Sequence, residues 1–148
     1  MLTLSSLELR LRGTDKMKQD AGDITGLHHV AIIASDYQRS RAFYVDVLGF
    51  KVIAENFRAE RNSWKCDLQV GDAQIELFSF PHAPPRVSRP EACGLRHLAF
   101  RVQDIAQVVQ RLEGHGIVSE PIRIDPYTGR LFTFFADPDD LPLELYEI

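Results

Sequence analysis

The chain has 148 residues, 45% of them hydrophobic and 26% charged, with a formal net charge of −4. That is an ordinary globular composition, long enough for one sizeable core, and its mild acidity excludes the basic face that nucleic-acid binding calls for. No apolar run approaches the roughly 18 residues of a membrane span, and Cys66 and Cys93, neither in a CxxC pair, imply no disulfide framework, so reduced thiols in a cytoplasmic protein are the expectation.

Residues 1–25 are polar and weakly patterned, which predicts an extension outside the core, mobile unless docked. Leu2, Leu4 and Leu7 make no sustained apolar stretch, so a secretory signal is not expected. Met17, shortly before the first strong strand, is a candidate translation start. From Leu27 the signal sharpens. LHHVAIIA (27–34) predicts a strand, Asp36 a helix cap, and Tyr37 to Leu48 a helix ended by Gly49. FKVIAENF (50–57), SWKCDLQV (63–70) and AQIELFSF (73–80) predict strands, the last two joined by a Gly71-Asp72 turn. Prolines 81, 84, 85 and 90 mark residues 81–94 as a linker. The pattern then restarts. LRHLAFRV (95–102) predicts a strand, Asp104 caps a helix carrying Ile105, Val108, Val109 and Leu112, and Gly114 and Gly116 end it. IVSEPIRI (117–124), LFTFFAD (131–137) and LPLELYEI (141–148) predict three more strands.

The restart is an internal repeat. Leu27 and Leu95, His29 and His97, Ala31 and Ala99, and Asp36 and Asp104 each lie 68 positions apart. Ile75-Glu76-Leu77 repeats as Leu143-Glu144-Leu145 at the same offset. Each half therefore places its glutamate 47 positions after its histidine. A repeat that carries flanking apolar residues and a helix cap fixes the architecture. It predicts a single α+β domain over 26–148, made of two tandem βαβββ modules (26–80 and 95–148) whose mixed sheets are curved.

Alternate strand residues share a face. Glu76 lies between Ile75 and Leu77, and Glu144 between Leu143 and Leu145. A carboxylate in the middle of an apolar strand is costly unless it is paired or metal-bound. Two such carboxylates near two histidines share that problem, and a divalent cation solves it. His29, Glu76, His97 and Glu144 form a borderline nitrogen and oxygen set that suits Zn²⁺, Ni²⁺, Co²⁺, Fe²⁺ or Mn²⁺. Four protein ligands around tetrahedral Zn²⁺ make a structural site, whereas a six-coordinate ion keeps positions open for substrate.

These residues carry a family resemblance. The segments LHHVAIIASD, FYVDVLGF, IELFSF, GLRHLAFRVQD and TFFADPDDLPLELYE resemble the vicinal oxygen chelate superfamily of glyoxalases, bleomycin-resistance proteins and dioxygenases. The resemblance covers about residues 26–148. RNSWKCDL, RPEACGLRHLAF and DPYTGRLFTFF are similar to the glyoxalase I-like, YaeR-type branch of bacterial proteins. The His, Glu, His, Glu order implies a glyoxalase I-like lyase holding Ni²⁺ or Zn²⁺. Dioxygenases and fosfomycin-resistance enzymes use two histidines and one glutamate, and methylmalonyl-CoA epimerases tend to have Gln where this chain has Glu76.

The resemblance further implies a small α-oxo or hemithioacetal substrate, possible as a glutathione adduct. A site carboxylate abstracts the proton beside the carbonyl, and the metal stabilises the enediolate. Glu144 is the first candidate for the base and Glu76 its partner. Small two-module members of the superfamily commonly form homodimers, so the four ligands come from one chain or are split two and two between copies. The alternatives are another metalloenzyme of the superfamily (epimerase, thiol transferase or dioxygenase) and a non-catalytic small-molecule binding protein. Arg58, Arg61, Lys65, Arg86, Arg89 and Arg123 are candidates to meet an anionic substrate end, with most expected at the solvated surface. Trp64 is expected to pack, His28 to face away from His29, His82 and His115 to lie at the surface, and both cysteines to be inert. Asp140 stands where the family's DPDG turn has Gly and is expected to affect only the turn.

Overall fold

The computed structural model describes residues 23–148. The expectations for residues 1–22, including a start at Met17, lie outside the described residues. Strand β1 (His29–Ala34) leads into helix α1 (Tyr37–Ala42), which runs on as a π-helical turn over Phe43–Val47. β2 (Lys51–Arg58), β3 (Ser63–Val70) and β4 (Ala73–Ser79) follow. The second half holds β5 (Leu98–Val102), α2 (Ile105–Gly114), β6 (Arg123–Ile124), β7 (Leu131–Ala136) and β8 (Pro142–Glu147). The fold is thus α+β, with βαβββ order in each half.

Each half makes its own four-stranded mixed sheet, in the orders β1-β4-β3-β2 and β5-β8-β7-β6. β1 pairs parallel with β4, and β5 with β8; the other pairs are antiparallel. The registers repeat as well. Ala31 stands opposite Glu76, and Ala99 opposite Glu144. The helix caps act as the sequence implies: the Asp36 carboxylate accepts from the Arg39 amide and the Asp104 carboxylate from the Gln107 amide, both at 3.0 Å.

The π-turn departs from the plain helix expected over 37–48. Leu48 donates to the Phe43 carbonyl five residues back. The wider turn lets Phe43 and Tyr44, adjacent in sequence, both enter the core. A second departure lies at 117–124, where only Arg123 and Ile124 join the ladder. Pro121 has no amide proton to give to β7, and on this edge of the sheet the ladder begins only two residues after it.

Each sheet buries one face. In the first, Ile32, Ala34, Cys66, Leu68, Ile75 and Leu77 point into the core; in the second, Thr133, Phe135, Leu143 and Leu145 do. One hydrophobic cluster contains residues of both halves. Phe43 meets Phe135, and Phe50 meets Phe100 edge-on at 5.3 Å. Period-2 alternation then sends Glu76 and Glu144 to the opposite, open faces.

Asp137 ties the halves together. It is 5% exposed, takes a 2.7 Å hydrogen bond from the Tyr44 hydroxyl, and accepts from the amides of Asp139 and Leu141 at 2.9 Å each. Asp140 adopts φ 62° in this turn, the left-handed region that Gly enters more readily and Asp tolerates. Asp139 in turn receives the Ser35 amide and hydroxyl at the end of β1.

Candidate metal-binding half-sites

The first half-site sits on the open face of the first sheet. His29 opens β1 and Glu76 lies mid-β4, two registers along on the neighbouring strand. His29 Nε2 is 3.6 Å from Glu76 Oε2, too long for a hydrogen bond and close enough for a shared cation. The His28 and His29 Nδ1 atoms approach to 2.9 Å. One of them must donate, and a proton on His29 Nδ1 leaves its Nε2 lone pair free on the Glu76 side. The expected separation of His28 from His29 therefore does not prevent contact between the two rings.

Sequence reasoning missed the role of Lys65 and Asp67. Lys65 Nζ lies 3.0 Å from Glu76 Oε1 and 2.5 Å from Asp67 Oδ1. Asp67 stands directly across the ladder from Glu76. The signal was available: Lys65, Asp67 and Gln69 alternate with Cys66 and Leu68 in one strand. Burial pulls the Lys65 ammonium down, but its hydrogen bonds to Asp67 and Glu76 outweigh that and the net shift is upward. Lys65 is thus a fixed cation beside Glu76 rather than a free donor for substrate. Replacing it by methionine removes a unit positive charge about 5 Å from any divalent ion held by Glu76, worth about 1.7 kcal/mol in a water-like medium, or about 15-fold in affinity. Lys65→Met is therefore expected to bind divalent metal more tightly in a chelator-competition titration.

The second half-site repeats the first. His97 immediately precedes β5 and Glu144 lies mid-β8. His97 Nε2 is 3.1 Å from Glu144 Oε2. Phe134, opposite Glu144 in the ladder, meets the His97 ring edge-on at 5.2 Å. Arg96 Nη1 lies 3.2 Å from His97 Nδ1. Arginine can only donate, so this contact puts the imidazole proton on Nε2, facing Glu144. Ligation through Nε2 requires Arg96, which is exposed, to turn its donor away.

The structure brings each histidine to its own glutamate. Among the described residues it brings no three His, Cys, Asp or Glu side chains together closely enough to hold an ion. The donor set nevertheless fits a divalent cation. Each pair offers an imidazole nitrogen and a carboxylate oxygen on the open face of a sheet, and in the first pair an ammonium group already lies against the carboxylate. Each pair supplies only two ligands, fewer than an ion of this class takes.

The other candidates are placed as follows. Trp64 stacks on Tyr37 with ring centroids 5.1 Å apart, a packing role. Arg86 fastens the linker by donating to the Leu95 carbonyl at 2.8 Å. Arg123 pairs with Glu120. Arg58 lies over Phe78 and Phe80 on the open face of the first sheet. His82 and His115 are exposed. Cys66 is buried and Cys93 exposed, both as free thiols, and burial pushes the Cys66 thiol up. A cavity of about 540 Å³ between the halves is lined by Val30, Phe50, Ile75, Leu98, Phe100 and Leu145 among others and by none of the four site residues. Its lining lies largely on the core side of the sheets, so size alone does not mark the site here.

The family model of the glyoxalase, bleomycin-resistance protein and dioxygenase superfamily matches residues 26–145. The chain belongs to this superfamily. It is 62% identical over 122 residues to the uncharacterised protein YaeR of Escherichia coli (strain K12), covering 82% of this chain and 95% of YaeR. It is 60% identical over 125 residues to the uncharacterised protein YwkD of Bacillus subtilis (strain 168), covering 84% and 98%. The crystal structure of a glyoxalase family protein from Enterococcus faecalis superposes with a TM-score of 0.78 at 52% identity, covering 84% of this chain and 98% of that one. Superfamily membership carries a small-molecule substrate and, typically, a divalent metal. Among the described residues no helix is long and apolar enough to cross a membrane.

Proposed function

We propose that the chain is a metal-dependent, glyoxalase I-like lyase or isomerase acting on a small substrate with two adjacent oxygens. The observation that carries this reading is the pair of repeated His–Glu half-sites, His29 with Glu76 and His97 with Glu144, on the open faces of two equivalent sheets. All four residues hold the ion, with Ni²⁺ or Zn²⁺ first and Co²⁺, Mn²⁺ or Fe²⁺ as alternatives. A bound divalent cation supplies Lewis acidity to the substrate oxygens.

The protein's own groups do the rest. Glu144 takes the proton from the carbon beside the carbonyl, and Glu76 is its partner in returning a proton to the neighbouring carbon. Lys65 holds Glu76 in place through its 3.0 Å contact. Two half-sites of two ligands each suit a homodimer in which the first module of one copy faces the second module of its partner. A hemithioacetal of methylglyoxal and glutathione is the first substrate to assay.

The test couples turnover to metal content. Protein reloaded with Ni²⁺ or Zn²⁺ is expected to convert the hemithioacetal, and Glu76→Ala is expected to lose bound metal by elemental analysis together with activity. No turnover with any divalent metal overturns the lyase assignment. Retention of metal by Glu76→Ala overturns the four-ligand set.

A further inference from the structure

Arg58 ends β2 on the same face as Lys65 and Glu76, since Arg58 pairs with Ser63 and Asn56 with Lys65 across the ladder. Its guanidinium carbon sits 4.9 Å from the centroid of the Phe78 ring and 5.5 Å from that of Phe80. Nη2 donates to the buried Ser63 hydroxyl at 2.8 Å. Nε is buried with no hydrogen-bond partner. Among the described residues no carboxylate lies within the 4.0 Å of an ion pair.

The second sheet provides the contrast. Arg123 lies over Phe132 and Phe134 in the same manner, but Glu120 neutralises it at 2.6 Å. Lys65 is likewise neutralised by Asp67 and Glu76. Among the described residues Arg58 is therefore a cation on the first open face that is positioned by stacking and Ser63 yet left without a counter-charge. A held, uncompensated guanidinium with a planar fork of donors fits a carboxylate, phosphate or phosphonate.

We propose that Arg58 and the Phe78–Phe80 shelf form a subsite for an oxyanion tail of the substrate. This deepens the reading above and rests on it for the position of the substrate's reacting end. Phe78 follows Glu76 by two residues on one face, about 7 Å along the strand. The substrate class is then a small molecule with adjacent oxygens at one end, a short apolar stem lying on the phenylalanines, and an oxyanion at the other end.

Calorimetric titration of the chelated and the Ni²⁺-loaded protein with three probes tests this. 2-Oxoadipate ends in a carboxylate, 2-oxo-5-phosphonopentanoate in a phosphonate, and 2-oxohexanoate in a methyl group. Wild type is expected to bind one or both charged-tail probes at least about tenfold more tightly than 2-oxohexanoate, and the better of the two identifies the tail. Arg58→Gln is expected to abolish that preference while leaving 2-oxohexanoate affinity unchanged, and Arg123→Gln to retain it. Should Arg58→Gln fail to fold, Arg58→Lys keeps the charge and stem and is expected to reduce the preference to about threefold, because a point charge lacks the fork. No tail preference in wild type, no binding of any charged probe, or a preference undiminished in the Arg58 variants overturns the proposal. The gain in affinity on loading Ni²⁺ is read separately from the tail preference. Its absence counts against the metal-centre reading and leaves the Arg58 result standing.

Discussion

Two variants that each fail to hold metal are expected to regain it when mixed. The first carries His29→Ala and Glu76→Ala, which empties the half-site on the first sheet. The second carries His97→Ala and Glu144→Ala, which empties the other. Each homodimer then has two ligands at every position where four are needed. Even loss of a residue that only supports a ligand typically costs 10–100-fold in metal affinity, so removal of two ligands is expected to cost at least about 100-fold. After co-refolding, a heterodimer with sites built from opposite modules regains one intact four-ligand site out of two. Equilibrium dialysis with Ni²⁺ reads this directly. The half-sites, complete within themselves but too small to coordinate an ion, motivate the expectation. If all four ligands came from one chain, no mixture would contain an intact set, and recovery would be nil.

The repeat made much of this legible. Strand period and the common offset of 68 put Glu76 and Glu144 on equivalent strands and turned both toward the open faces, because their neighbours Ile75, Leu77, Leu143 and Leu145 are buried. The parallel pairing of β1 with β4 and of β5 with β8, which brings each histidine beside its glutamate, is a matter of sheet order that the βαβββ sequence of elements does not fix. Whether the two pairs meet was not legible, because it depends on how the sheets sit and on surfaces between copies rather than on any local pattern. Lys65 illustrates a second limit. Its charge and position could be read, but its engagement with Asp67 and Glu76 is a cross-strand matter fixed by register. Pro121 was readable as a ladder breaker, yet the apolar run around it suggested a longer strand than forms.

Asp137→Ala is expected to be among the most destabilising substitutions in the chain. It strands the hydroxyl of Tyr44, which has 0% exposure, and removes the acceptor of two turn amides. A buried donor without an acceptor costs about 1–3 kcal/mol and each further lost hydrogen bond about 1 kcal/mol. The sum is about 4 kcal/mol, or about 13 °C in the melting midpoint for a chain of this size. Asp137→Asn should recover about half of it, since the amide oxygen serves the two backbone donors, while its NH₂ reaches the Tyr44 oxygen but leaves the Tyr44 hydroxyl proton without an acceptor. The pH dependence separates the two carboxylate roles. Burial raises the Asp137 pKa above its ordinary 3.8, against the hydrogen bonds from Tyr44, Leu141 and Asp139, so the fold favours the protonated form. The cost of ionising it is absent below pH 3.8 and fully present above the raised value. Wild type should therefore lose stability relative to Asp137→Asn as pH rises through that window, a trend that denaturant titrations at a series of pH values will read. A difference that does not vary with pH would show that Asp137 ionises as freely in the fold as in the unfolded chain. The consequence reaches the site because Tyr44 belongs to the helical segment of the first module and Asp137 to the turn before β8. Loosening their bond lets the two modules of one chain shift against each other, and since in the dimer each of them faces a module of the partner, both sites lose their alignment, so Asp137→Ala should also weaken metal binding at temperatures where the chain is still folded.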